Sequence, residues 1–148
     1  MKIALLLAVF VAGLSYIRLA PTNAHKWRIE RMPTDPGEYP GMGRYLVNVP
    51  LSGDSQTQFN ALKHIALGTP RTRVIAEFPA TREIILETRS LVLGFPDYTT
   101  LQLIPANEAR DATLRVLGRL RFGKHDLGVN QARIQTWLAS LDFSATPG

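Results

Sequence analysis

The chain has 148 residues, of which 45% are apolar and 20% are charged, and it contains no cysteine. Such a composition is typical of a folded globular protein and excludes an intrinsically disordered one, while the length predicts a single domain. The lack of cysteine excludes disulfides, thiol nucleophiles and cysteine-based metal sites. The formal net charge of +5 is not gathered into runs of lysine and arginine, so we expect no nucleic-acid partner.

The N-terminal segment predicts export. Lys2 is followed by the mostly apolar run 3–14 and then by a more polar stretch, which is the pattern of a targeting segment. Residues 3–20 would form a helix about 27 Å long, just enough to cross a bilayer if Arg18 reaches the far interface. Because no position offers a good small-residue cleavage motif, we favour a signal anchor in the bacterial inner membrane over a cleaved signal peptide. Lys2 favours a cytoplasmic N-terminus and a periplasmic domain.

Composition divides the chain further. The segment 21–53 contains five prolines and four glycines, which exclude long helices and predict an extended arm. Within it, the run 44–49 ("RYLVNV") predicts an edge strand. We expect a folded domain over 54–143 and a flexible tail over 144–148, after the signal anchor or uncleaved signal peptide at 1–20.

Two amphipathic helices are predicted in the domain. The first follows the N-capping segment "SGDS" (52–55) and ends at Gly68 and Pro70. His64 lies off its apolar stripe and is expected on the surface. The second helix runs from about 127 to 141. The two stripes are Phe59, Leu62, Ile65 and Ala66, and Ile134, Trp137, Leu138 and Leu141.

Four runs between these helices alternate apolar and polar residues, which predicts strands at 72–78, 82–93, 98–104 and 113–122. Short turns between them favour an antiparallel meander. We therefore predict an α+β fold, with an antiparallel sheet of four to five strands, two amphipathic helices packed on one face, and an N-terminal transmembrane or signal helix before them.

The opposite face of this sheet would carry Arg89, Arg115, Arg119 and Arg121 among aliphatic residues. Two interpretations stay open: a solvated face with cross-strand ion pairs, or a surface that binds anions or a partner. The segment "SLVLGF" (90–95) is apolar on both strand faces, which predicts that the arm or another protein covers that end.

Polar residues and glycines are concentrated at 119–138 ("RLRFGKHDLGVNQARIQTWL"), where a strand gives way to the last helix. One interpretation is a polar staple, in which Asp126 caps the helix and pairs with an arginine while Asn130 binds backbone. Another is an anion pocket at the helix N-terminus, with Arg119, Arg121, Arg133 and His125 as its walls. A third is a small hydrolase with His125 and Asp126 as acid and base, although no familiar catalytic motif accompanies them.

The same stretch, together with "ETRSLVLGFPDYTTLQL" (87–103), resembles the domain of unknown function 1499 family. The resemblance covers roughly residues 44–141 and is most specific in its last third. It implies the fold and the export but no reaction, because the family has no established activity. His125 stands where the family usually has serine. The matching positions are Phe95, Asp97, Arg119, Gly123, Asp126, Gly128, Asn130 and Arg133.

Together these features predict a membrane-anchored periplasmic binding or accessory protein, such as a subunit of a membrane protein complex. The alternatives are a receptor for an anion or a lipid headgroup, and the small hydrolase. We expect no catalytic residues, no metal and no cofactor; the expected partners are the membrane and a protein in the membrane or periplasm. The candidate binding residues are Arg89, Asp97, Arg119, Arg121, His125, Asp126, Asn130 and Arg133.

Overall fold

The structure, a computed structural model, describes residues 1–144, with side chains up to residue 142. The predicted tail 144–148 lies outside the described residues, apart from Ser144 at the end of the last helix. In chain order the elements are α1 (Lys2–Leu19), β1 (Gly37–Gly41), β2 (Arg44–Leu51), α2 (Ser55–Leu67), β3 (Thr72–Phe78), β4 (Glu83–Arg89), β5 (Pro96–Ile104), β6 (Ala112–Leu120) and α3 (Val129–Ser144), with 3₁₀ turns at Ala24–Trp27 and Pro79–Thr81.

Six strands form one antiparallel sheet in the order β1-β2-β6-β5-β4-β3. Helices α2 and α3 pack on one face, which confirms the predicted α+β class. The strand count exceeds the predicted four to five because β1, with the sequence Gly-Glu-Tyr-Pro-Gly, has no alternating pattern. Since β1 pairs with β2, the strand predicted at the edge lies inside the sheet.

The main core lies between the sheet and the two helices. Helix α2 buries Phe59, Leu62 and Ala66, and α3 buries Ile134, Trp137 and Leu141, as their stripes predicted. Each such large apolar side chain contributes about 1.5–3 kcal/mol when fully buried. The Trp137 indole N–H donates to Thr69 Oγ1 at 2.7 Å and ties α3 to the end of α2. His64 is exposed, as expected.

The second face of the sheet is covered by the arm. Residues 20–36, the part before β1 that is called the arm from here on, pass over it, and Ile29 packs with Leu46 and Leu117 in a separate apolar cluster. The interpretation of this face as solvated is therefore wrong. The sequence predicted a cover only for the end of the sheet at residues 90–95, because the prolines of the arm leave no periodic pattern that shows which of its residues face the sheet.

Strand pairing sorts the loops into two groups. The β1–β2 turn, the α2–β3 loop, the β4–β5 loop and the β6–α3 loop lie at one end of the sheet. We call this the anchor end, because Arg18 at the end of α1 donates through Nε to the carbonyl oxygen of Leu93 in the β4–β5 loop at 3.2 Å. The other three loops define the far end. Strand β4 ends at Arg89, so residues 90–93 of the predicted strand belong to the loop.

Candidate functional site

Arginines on β6 and directly after it fasten the arm to the sheet. We call Arg115, Arg119 and Arg121 the arginine clamp. Their guanidinium groups donate to backbone carbonyls at three points along the arm, residues 32–33, 26–27 and 20–21 respectively. The contacts include 2.8 Å to the carbonyl oxygen of Pro33 and 2.9 Å to that of Pro21. Charged donors thus satisfy carbonyls of a segment that has no strand partner of its own.

Two predicted binding residues, Arg119 and Arg121, belong to this clamp. Arg119 also lies over the ring of Trp27, with its guanidinium carbon 5.2 Å from the centroid, and Arg121 lies 4.9 Å from that of Phe122. Burial lowers the pKa of Arg119 to about 10, although the charge of Glu83 opposes the shift, so Arg119 stays charged at neutral pH. These guanidinium groups bind the arm instead of lining the predicted anion pocket.

The junction between β6 and α3 is a polar staple. Asp126 accepts hydrogen bonds from the backbone N–H of Gly128 and of Asn130, both at 3.1 Å, and from Asn130 Nδ2 at 2.8 Å. Arg133 donates to Asn130 Oδ1 at 3.2 Å and to Asp97 Oδ2 at 3.4 Å. Asn130 is 0% exposed. The arginine of the staple therefore pairs with Asp97 on β5, and not with Asp126 as the sequence suggested.

Glycines shape this junction. A Cβ atom at Gly118 would lie 2.9 Å from Ile134 Cδ1 and 3.0 Å from Asn130 Cβ, so glycine on β6 lets α3 approach the sheet. Gly123, shortly after the end of β6, has a φ of +96°, a backbone conformation that glycine adopts readily. Gly128 has a φ of +78°, and nothing lies within 4 Å of the position that a Cβ atom would take there.

The two carboxyl groups of the staple differ in acidity. Burial raises the pKa of Asp97, and the charge of Asp126 adds to this shift while Arg133 opposes it. Burial also disfavours the charged form of Asp126, but hydrogen bonds from Asn130 and Gly128 outweigh it and lower the pKa. Asp126 is therefore the more readily ionised of the two, as suits a carboxylate that accepts N–H groups at a helix N-terminus.

A second group of arginines lies at the anchor end, between the end of α1, β3 at the edge of the sheet, and the β4–β5 loop. A cavity of about 450 Å³ lies among them, and a second of about 480 Å³ shares most of the same charged residues. We call this region the arginine cavity. Its charged residues are Arg18, Arg71, Arg73 and Arg89, with Glu87.

Positive charge exceeds negative charge in the arginine cavity. Glu87 is 2% exposed and pairs with Arg89 through Nε–Oε1 and Nη2–Oε2 contacts of 2.8 and 3.2 Å. Within the described part of the chain, Arg18, Arg71 and Arg73 each make one side-chain hydrogen bond, in every case through Nε. Three guanidinium groups therefore keep their terminal nitrogens available for an external acceptor.

Of these arginines, only Arg89 is among the candidates predicted from the sequence. Arg73 and Glu87 are cross-strand partners in the β3–β4 hairpin, so the predicted hairpin could have indicated that pair. No sequence signal places Arg18 beside β4, because its position depends on how the arm leads back over the sheet.

Two further properties concern metals and membranes. Within residues 1–144, no group of three or more histidine, aspartate or glutamate side chains is placed to hold a metal ion. Helix α1 is long and apolar enough to span a membrane, with a mean hydropathy of 1.9 over 18 residues and no residue buried in the protein.

Comparison with known proteins supports the resemblance found at the β6–α3 junction. The family model described as a protein of unknown function (DUF1499) matches residues 28–141. The match begins inside the arm, so it includes residues 32–33, one of the three points that the arginine clamp holds. No curated protein matches the chain. Because the family model covers most of the chain, the protein belongs to the DUF1499 family.

Proposed function

We propose that this protein is a membrane-anchored binding protein whose arginine cavity receives an anionic group, either a phosphate or a carboxylate. The observation that carries the proposal is the set of three incompletely used guanidinium groups where α1 meets the sheet. Guanidinium groups recognise both anions through paired N–H donors. A cavity of about 450 Å³ also falls within the range of small-molecule sites.

The contacts directly after α1 support an anchor that is retained. Arg121 donates to the carbonyl oxygens of Ala20 and Pro21, at 3.2 and 2.9 Å. Cleavage near these residues would release one point of the arginine clamp and would remove Arg18 from the arginine cavity. The charge of Lys2 before α1 favours a cytoplasmic N-terminus, and we accordingly propose a single-pass protein of the bacterial inner membrane with its domain in the periplasm.

The predicted candidates take different parts in this proposal. Arg89 belongs to the binding site, where it neutralises Glu87 and leaves the other arginines free for a ligand. The remaining candidates, apart from the exposed His125, hold the arm or α3 in place. They are positioning residues: Asp97, Arg119, Arg121, Asp126, Asn130 and Arg133.

A hydrolase using His125 and Asp126 has less support than a binding protein. Both carboxylate oxygens of Asp126 accept hydrogen bonds from the start of α3, so proton transfer would compete with the helix cap. An accessory role in a membrane complex stays a prediction, since the sheet face that suggested it is covered by the arm. Affinity purification of the full chain in mild detergent, with mass spectrometry, would test it.

Calorimetric titration of the full chain in non-ionic detergent tests the proposed site. The probes are inorganic phosphate, acetate and a short-chain phosphatidic acid, which separate a free phosphate, a carboxylate and a lipid headgroup. We expect binding of at least one probe, and an affinity about tenfold lower or worse for Arg71→Gln/Arg73→Gln, because two charge-assisted contacts are lost.

The matched control is Arg82→Gln/Arg110→Gln, which removes two exposed arginines at the far end. Its affinity should equal that of the wild type. No binding of any of the three probes, or an equal loss in the control, would contradict the proposal, since the second result indicates attraction by net charge alone.

A further inference from the structure

Exposed apolar side chains are concentrated at one end of the protein. Apart from residues 1–19, the large apolar residues that are exposed within the described chain all belong to the anchor end. Val92 is 79% exposed and Leu127 is 95% exposed. An apolar surface of this kind marks a site of interaction. Its members are Met42, Leu67, residues 91–93, Leu127 and Val129.

The β4–β5 loop extends this surface along α1. Val92 and Leu93 line a gap of about 280 Å³ together with Val11 and Leu14 of the helix. Val11 precedes the last residue of α1 by eight positions, which corresponds to about 12 Å along a helix. The loop therefore lies beside the part of α1 that a bilayer would enclose, and not beyond the end of the helix.

Basic side chains surround these apolar residues. Arg18, Arg44, Arg71 and Lys124 are all exposed at the anchor end. The carboxylates nearby already have partners: Glu87 pairs with Arg89 in the arginine cavity, and Asp97 and Asp126 accept hydrogen bonds within the staple. Apolar side chains that enter hydrocarbon, with cations at the level of the headgroups, match the interface of a membrane that contains anionic lipids.

We propose that residues 91–93 insert into the lipid leaflet beside α1, so that the anchor end of the domain lies on the membrane surface. This inference rests on α1 being retained as an anchor, but it needs no ligand in the arginine cavity. The arm after α1 is fixed to the sheet by the arginine clamp, so a second lipid contact sets the orientation of the whole domain.

The lack of cysteine in the chain allows the loop to be probed with a single label. The full chain with Val92→Cys carries an environment-sensitive NBD dye and is placed in vesicles of phosphatidylcholine and phosphatidylglycerol. Ala109→Cys is the matched control in the β5–β6 loop at the far end, and Ala8→Cys reports on α1. Thermal unfolding of each labelled variant checks that it folds.

We expect the dye at position 92 to show blue-shifted emission, quenching by nitroxides on the acyl chains and protection from iodide. The dye at position 109 should show the reverse. Iodide quenching at 92 equal to that at 109, with position 8 in lipid, overturns the inference and leaves the anchor intact. Protection at 92 without lipid quenching also overturns it, since a protein then covers the loop. If position 8 lies in water, the anchor and the inference both fail.

Discussion

The arginine clamp and the arginine cavity both place arginines on one sheet, but the guanidinium groups of the clamp bind the protein itself, whereas those of the cavity keep donors unused. In the clamp, Arg119 and its neighbours along β6 donate to carbonyl oxygens of the arm. In the cavity, Arg73 contacts the Glu87 carboxylate, which Arg89 already neutralises, and Arg71 donates to the carbonyl oxygen of Arg89. The role of an arginine is therefore decided by the acceptors that the fold brings to it.

Solvent exposure follows the same division. The side chain of Arg73 is 68% exposed. The guanidinium of Arg119 lies deeper in the protein, and burial is the main cause of its lowered pKa. A buried guanidinium with backbone acceptors stabilises the fold, because removing it leaves those carbonyls without donors. An exposed guanidinium beside others of like charge adds little stability and keeps its donors for a ligand.

The largest effect on stability is expected from Arg119→Ala. The substitution removes the charged donor of the Trp27 carbonyl oxygen, which keeps only the hydroxyl of Thr100, and we expect the free energy of unfolding to fall by about 2 kcal/mol. Urea unfolding of the full chain in detergent measures this change. The arm should also loosen, so trypsin should cleave after Lys26 and Arg28 sooner than in the wild type.

The control for this prediction is Arg110→Ala at the far end, where the expected change is within about 0.5 kcal/mol. A loss of that small size for Arg119→Ala, with unchanged cleavage of the arm, would show that the clamp does not hold the arm in place.

Sequence patterns predicted the parts of the fold that depend on periodicity. The alternation of β6 and the stripes of α2 and α3 are visible in the sequence, and so is the cap at Asp126. What was missed depends on contacts between distant segments: the arm over the sheet, Gly118 under α3, and Arg18 beside β4. A proline-rich segment or a single glycine has no periodicity, so its partner becomes visible only in the folded chain.

A smaller effect, which depends on pH, is expected from Asp126→Ala. The pKa of Asp126 is lowered in the fold, so its stabilisation is present above the ordinary value of about 3.9 and is lost as the pH falls through the folded value. The variant should be less stable than the wild type by about 1 kcal/mol at neutral pH, as for a lost helix cap. Thermal unfolding at a series of pH values should show this difference narrowing in acid.

Asp97 provides a comparison of opposite sign. Its pKa is raised in the fold. The stability that Asp97 contributes is therefore fully present at a pH below the ordinary pKa of aspartate, and it is lost as the pH rises through the raised pKa of the folded state. Asp97→Asn should therefore gain stability relative to the wild type as the pH rises over that interval. Equal pH dependence in the two variants would contradict the assignment of Asp126 as the more readily ionised member of the staple.

The smallest effect on stability is expected from Arg73→Gln. The substitution removes one contact of 3.1 Å to Glu87, while Arg89 still neutralises that carboxylate through both of its oxygens. Because Arg73 is mostly exposed, the free energy of unfolding should change by no more than about 0.5 kcal/mol, as urea unfolding would show. A loss as large as that of Arg119→Ala would instead mean that Arg73 supports the fold, and a weaker affinity in its variants could then no longer be attributed to a lost contact with the ligand.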